Sequence, residues 1–305
     1  MPNWKSKLCA IPVGLYEKAL PPTFTWSERL QTAALAGYDF LEISIDDSDK
    51  RIARLDWSAR ERAELRQAVR DTAVPLQSMS LSSHRRYALG SASPQRRQQG
   101  LDIFAKAIDF AVDTAIRLIL VAGAENYYEE RDEASQSRFL ESLGCAFEKA
   151  SGSGVMLALE NWDIQINSIS RAMEYLDYFN SPWFQLYVDI GNLAYAGLDV
   201  VSQLELGRGH IAALHVKDTL TGQLRYVPPG EGVVPFVSSF AKLAAMGFQG
   251  PVVLELWTED FPDAVQIVTE AREWLRAQME EGWRKTINRQ QPTINSQQST
   301  VNGKQ

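Results

Sequence analysis

VMLALE, residues 155–160, is an apolar run that closes on an acid, Glu160. The same construction recurs at FQLYVD (184–189), closing on Asp189, and at PVVLELW (251–257), which carries Glu255. In IAALHV (211–216) the polar group is an imidazole, His215. The intervals between these four residues are 29, 26 and 40, each long enough for one strand, one loop and one helix. A parallel barrel carries its chemistry at the C-terminal ends of its strands, where the βα loops gather. Three carboxylates and one imidazole converging there form an oxygen-rich site for a divalent cation, with positions left for a substrate.

Outward from this stretch the pattern continues in both directions. The apolar runs LCAIPVGL, FLEISI, PLQSMSL and LILVA precede the four already quoted, giving eight. Helix-period segments lie between them at 27–36, 58–72, 94–113, 135–151, 168–180, 200–207 and 236–246, with a last one at 261–283. Ser58 offers an N-cap, and Ser93-Pro94 a cap followed by proline at the first helical position. Gly37, Gly152 and Gly247 stand where helices would stop. Strands alternating with helices imply a parallel sheet, and eight units imply closure into a (β/α)8 TIM barrel spanning residues 1–287. A doubly wound open sheet is the competitor, but the first strand is not followed by a glycine-rich phosphate fingerprint. The polar, aperiodic stretch 288–305 reads as a disordered tail.

Composition narrows the function. At 305 residues with 45% hydrophobic content, the chain can bury a large core. A net charge of −7 argues against a nucleic-acid partner, which would require a basic face. Two cysteines, Cys9 and Cys145, are too few for a disulfide framework, so a reducing cytoplasm is the expected compartment. The N-terminus lacks a signal-peptide pattern, and no apolar run of about 18 residues is present to span a membrane. A homo-oligomer is compatible with this composition. With three histidines in the whole chain, the site is histidine-poor; oxygen ligands and no thiolate favour Mn²⁺, with Zn²⁺ or Co²⁺ as substitutes.

Each acid taken alone also reads as a solvated or salt-bridged loop residue; the four together do not, because charges interrupt apolar runs where something satisfies them. Around them the segments GLYEKALP (14–21), RLDWS (54–58), LSSHRRYALGS (81–91), SPWFQLYVDIGNL (181–193), HVKDT (215–219) and PPGEGVVPF (228–236) resemble the xylose-isomerase-like barrels. Within those barrels they resemble the L-ribulose-5-phosphate (L-xylulose-5-phosphate) 3-epimerases, from about Val13 to Trp274. The resemblance implies a metal held by Glu160, Asp189, His215 and Glu255, with the two glutamates as acid and base. Pro235 stands where the family leads one to expect an aspartate cap, and ENWDIQINS (160–168) departs from the family's usual side chains.

The residue types suit that chemistry. Inverting C3 of a ketose removes a proton beside the C2 carbonyl; a Lewis acid offsets the developing charge, and two bases on opposite faces take and return the proton. For a phosphate, His84, Arg85 and Arg86 follow the third strand at the same rim, although adjacent arginines also read as a solvated patch. Lys217 faces the same way as His215 and is a candidate contact to a substrate hydroxyl or phosphate. Asn192 and Glu231 complete the substrate-binding candidates. The expectation is thus a metal-dependent 3-epimerase of a phosphorylated L-pentulose. The alternatives are an enzyme acting on an unphosphorylated ketose and a non-catalytic sugar-phosphate sensor. An endonuclease of the same barrel type would need a histidine-rich multi-zinc site and a basic groove, and neither is present.

Overall fold

A computed structural model describes residue 8 and residues 10–162, 164–258 and 260–290. Eight strands close into one all-parallel barrel in chain order: β1 Val13–Tyr16, β2 Phe40–Ile45, β3 Leu76–Leu81, β4 Leu118–Val121, β5 Met156–Glu160, β6 Phe184–Asp189, β7 Ile211–Val216 and β8 Val252–Leu254. The outer ring is α1 Trp26–Leu35, α2 Asp49–Ile52, α3 Ala59–Thr72, α4 Pro94–Thr114, α5 Ser135–Gly152, α6 Ile169–Phe179, α7 Ile190–Tyr195, α8 Val200–Leu206, α9 Phe236–Met246 and α10 Ala264–Gln290. No helix among the described residues is long and apolar enough to cross a membrane.

The helix starts follow local chemistry. Ser58 accepts from the Glu61 N–H while the Glu61 carboxylate accepts from the Ser58 N–H, a reciprocal capping box, and Thr25 and Glu28 repeat it. Ser93 caps α4 with Pro94 at its first position, as the sequence predicts. The stops differ in detail. Gly37 and Gly247 take positive φ at helix ends, but Gly152 is the last helical residue of α5 and the positive φ falls at Gly154. Pro235 occupies the N-cap of α9, where it provides no side-chain cap. The helix expected over 261–283 begins at Ala264 and runs to Gln290. Trp283 is buried near Phe240 and the Thr286 hydroxyl donates to the Ala241 carbonyl, so tertiary contacts carry the helix past its expected end. Residues 288–290 of the stretch expected as a tail are thus helical; residues 291–305, like Cys9, lie outside the described residues.

Strand alternation divides the residues into two sets. One set packs outward against the helices: Leu15, Leu41, Ile43, Met79, Leu157, Leu186, Val188, Leu214 and Leu254 belong to the main core. The other set points into the barrel, where Phe40, Leu118, Leu120, Ala158, Tyr187, Ala213 and Val253 form a separate buried cluster below the mouth, with Tyr16. Gly14 makes room for that cluster, since a Cβ there would lie 2.3 Å from the Phe40 ring. The inward positions change from apolar to charged at the C-terminal strand ends, and that change places the site.

Candidate active site

Four inward carboxylates, Glu42, Glu160, Asp189 and Glu255, are all buried, with Glu42 and Asp189 fully so. His215 and Lys217 are buried among them. Register explains the convergence: Asp189 pairs with His215 across β6 and β7, Glu160 pairs with Tyr187, and Glu255 follows the last paired residue of β8. One donor atom each from Glu160, Asp189 and His215 lie within 4.8 Å of one another, close enough to share a cation. Glu255 stands beside this trio, its Oε2 3.9 Å from His215 Nδ1 and 2.5 Å from Lys217 Nζ.

Glu42 is the residue that sequence reasoning missed. Its Oε1 accepts from His215 Nε2 at 2.6 Å, and its Oε2 accepts from the Ser78 and Tyr187 hydroxyls, each at 2.6 Å. With Nε2 committed to Glu42, the ring presents Nδ1 to the acids, 3.3 Å from Glu160 Oε1, yet Nδ1 is buried without a hydrogen-bond partner. A carboxylate behind a histidine fixes its tautomer and orientation and raises its basicity as a ligand. The signal was in the sequence: FLEISI carries an acid inside an apolar run, though not at its end.

The charge balance of the cluster is unfavourable on its own account. Four carboxylates face one ammonium and one imidazole in a buried volume, and unpaired buried charge is expensive. Burial, reinforced by Asp189 and Glu255, pushes the Glu160 carboxyl up to about 7 although His215 opposes the shift. Burial likewise raises Asp189 despite Lys217. At Glu255 burial acts in the same sense but Lys217 and His215 outweigh it, holding the carboxyl at about 2. Burial disfavours charge on His215 and Lys217, but the carboxylates win at both and raise them. A site that neutralises one of its own acids to relieve crowding, and leaves an imidazole nitrogen unpartnered beside it, fits a divalent cation on oxygen and imidazole donors.

The other predicted residues fall into two groups. Lys217 lines the mouth and bridges Asp189 and Glu255, at 2.6 and 2.5 Å; Gly191 permits this, since a Cβ there would lie 2.5 Å from Lys217 Cγ. Asn192 sits one layer back: its N–H donates to Asp189 Oδ1, its Nδ2 donates to the Asn161 carbonyl, and its Oδ1 is buried without a partner. Arg85 lines the same cavity as Glu160 and Glu255. His84, Arg86 and Glu231 are not brought there. His84 is buried against Phe104, rings stacked 4.7 Å apart, with Nε2 3.4 Å from the Gly100 carbonyl. Arg86 points to Asp49 at 2.6 Å, and Glu231 is exposed on the loop before α9. Tyr16, Lys18, Arg225 and Trp257, none of them singled out by sequence, also line the mouth.

The closed barrel and its charged mouth define the class, and the comparisons agree. Residues 30–278 match the family model of xylose isomerase-like TIM barrels. L-ribulose-5-phosphate 3-epimerase UlaE of Escherichia coli O1:K1 is 48% identical over 270 residues, covering 88% of this chain and 95% of its own. UlaE of Salmonella paratyphi C matches to the same extent, 48% over 270 residues. The chain therefore belongs to the L-ribulose-5-phosphate 3-epimerases, a family of isomerases. Among solved structures, L-ribulose 3-epimerase aligns with a TM-score of 0.75 at 18% identity, covering 93% of this chain and 100% of that one. The 3-keto-D-glucoside 4-epimerase YcjR from E. coli aligns with a TM-score of 0.73 at 21% identity, covering 88% and 99%. At those identities the likeness speaks for the fold.

Proposed function

We propose that this protein interconverts L-ribulose 5-phosphate and L-xylulose 5-phosphate by moving a proton at C3 between two glutamates, Glu160 and Glu255, at a divalent metal site. The observation that carries the reading is the buried carboxylate excess around His215, with the imidazole turned toward it by Glu42. Kinship at 48% identity to UlaE supports the reaction and the phosphorylated substrate.

Glu160, Asp189, His215 and Glu255 would hold the ion. Mn²⁺ suits three carboxylates and one imidazole, with Zn²⁺ or Co²⁺ as substitutes. When bound, the ion supplies electrostatic stabilisation of the negative charge that develops as a C–H beside a carbonyl loses its proton. The residues of the chain do the rest. One glutamate takes the C3 proton and the other delivers one to the opposite face, and carboxyls whose surroundings push them apart suit that division. Without the ion, burial holds Glu160 up near 7 while Lys217 holds Glu255 down near 2, and a bound cation would draw both carboxyls toward the ionised form that a base requires. Glu42 keeps His215 in one tautomer, Lys217 holds Asp189 and Glu255 in place, and the Tyr16 and Trp257 rings, 5.9 Å apart, wall the mouth and limit water. Two cysteines, one of them the exposed free Cys145, support placing the enzyme in a reducing cytoplasm.

The test is epimerisation of L-ribulose 5-phosphate and of L-ribulose, each before and after chelation. The reading expects turnover that favours the phosphorylated ketose, is lost on chelation and returns with Mn²⁺. Undiminished turnover after complete removal of metal would sink the metal-dependent reading.

A further inference from the structure

Every polar atom of Asp189 is engaged within the protein. The Lys217 ammonium donates to its Oδ2 at 2.6 Å, and the Asn192 N–H donates to its Oδ1 at 2.9 Å. Its backbone is taken up by a single side chain. Asn161 Oδ1 accepts from the Asp189 N–H at 2.8 Å, and Asn161 Nδ2 donates to the Asp189 carbonyl at 2.9 Å. Asn192 Nδ2 closes a ring by donating to the Asn161 carbonyl at 3.0 Å. All three residues are buried. The Asp189 N–H can only donate and its carbonyl only accept, so these partners fix which way the Asn161 amide points.

Topology gives Asn161 this reach. β5 and β6 pair in parallel as far as Glu160, which stands opposite Tyr187. Beyond Glu160 the chain turns off, Trp162 pairing with Ile166 in an isolated antiparallel bridge. The backbone ladder thus stops where the two strands deliver their acids. A primary amide carries a donor and an acceptor side by side, as a peptide group does, and here it stands in for one more ladder step. That step ties Asp189 to the residue next to Glu160, and the donor atoms of these two acids and His215 lie within 4.8 Å of one another. Gly191 closes Asp189 from another side, since a Cβ there would lie 3.2 Å from its Oδ1.

We infer that Asn161 is a positioning residue of the reaction: its side-chain amide, locked by Asn192, holds Asp189 on β6 against Glu160 on β5 and so sets the spacing of the acids at the metal site. The inference deepens the proposed function and rests on it for the metal and the reaction. Groups behind metal ligands aim those ligands, and a misplacement of about 1 Å among reacting groups costs about 10²-fold in rate.

The test compares wild type with Asn161→Leu, which keeps much of the volume and makes neither hydrogen bond. Tyr175→Phe is the control. It removes another buried hydrogen bond, from the Tyr175 hydroxyl to Glu125, and neither residue lines the cavity of Glu160 and Glu255. Thermal melting establishes that each variant folds. Competition with a chelator of known affinity should show Mn²⁺ binding weakened about 10- to 100-fold in Asn161→Leu and unchanged in Tyr175→Phe. At saturating Mn²⁺, kcat on L-ribulose 5-phosphate should fall about 10-fold or more in Asn161→Leu, while KM moves less than about threefold. If Asn161→Leu does not fold, Asn161→Ala, which leaves room for water at the Asp189 backbone, carries the same comparison. Mn²⁺ affinity or kcat equal to wild type in a folded Asn161 variant, or an equal loss in Tyr175→Phe, overturns the inference and leaves Asn161 as sheet architecture. If wild type binds Mn²⁺ but turns over neither L-ribulose 5-phosphate nor L-ribulose, the proposed reaction has failed instead, and the metal affinities alone decide the role of Asn161.

Discussion

The two halves of the barrel rim use the same kinds of residue to opposite ends. On the β1–β3 side, Lys18, Asp46, Asp47 and Arg85 pair off acid to base, with Tyr128 donating to Asp47 and Arg85 lying over Tyr127 and Trp162. On the β5–β8 side, Glu160, Asp189 and Glu255 outnumber Lys217, and a fourth acid, Glu42, backs His215 from β2. On the first side each of these four charges is met by its opposite within the protein. The second is left with excess negative charge, which adds to burial in raising Glu160 to about 7. Charged residues at a strand end therefore signify little until their partners are counted: a matched set is architecture, an unmatched set calls for something from outside.

The sharpest way to break this contrast is at the unmatched acids. Glu160→Gln and Glu255→Gln are each expected to lower kcat by about 10²–10⁴-fold, the usual worth of a positioned acid or base. Metal content is measured first in both variants. With metal retained, each should still exchange the C3 hydrogen of one epimer with deuterium from solvent, and the two variants should differ in which. Exchange from both epimers in a single variant would mean one base acting on both faces.

On the matched side, the largest effect expected is on stability rather than turnover. Burial lowers His84 to about 4, against about 6.5 for a free imidazole. The unfolded chain then binds a proton between those values that the folded chain refuses, so stability is full above pH 6.5 and is lost as pH falls toward 4. The loss amounts to about 3 kcal/mol at the low end. Denaturant unfolding at pH 7 and pH 4.5 should show this slope in wild type and a shallower one in His84→Gln; equal slopes would contradict it.

Removing Glu42 probes the join between the halves. Glu42→Gln keeps a partner for His215 Nε2 but not the charge, and is expected to weaken metal binding about 10- to 100-fold, as for other residues behind a ligating histidine. Competition with a chelator of known affinity reads this directly, and unaltered affinity would confine Glu42 to a packing role. The smallest effect is expected at Arg85. Because Asp47 already balances it, Arg85→Ala should raise KM for the phosphorylated ketose only a few-fold, on the order of an ordinary partly exposed ion pair. A rise of about 100-fold would make Arg85 itself a contact to the substrate.

Much of this was legible in the sequence because the periodicities are local. Short apolar runs marked all eight strands, the 3.6-residue period marked the main helices, and the acids at Glu160, Asp189 and Glu255 announced themselves by interrupting apolar runs. Short elements escaped: α2 and α7 are a turn or so each, too brief for a period to show. At the site, adjacency along the chain misled. His84 and Arg86 flank Arg85, yet a 3-10 turn over Ser83–Arg85 sends one into the core, one to the cavity and one to the surface.

Sequence by itself determined the barrel and the three acids and one imidazole at its mouth, because these depend on apolar runs, helix periods and spacings that each element carries within itself. Only the tertiary structure decided which charges are balanced. Glu42 meets His215 across 173 positions of chain, Arg54 reaches Glu17, and Arg225 lies on the Trp257 ring while its charge acts on Glu255. Coulomb energy and desolvation depend on distance and burial in three dimensions, and neither can be read from order along the chain.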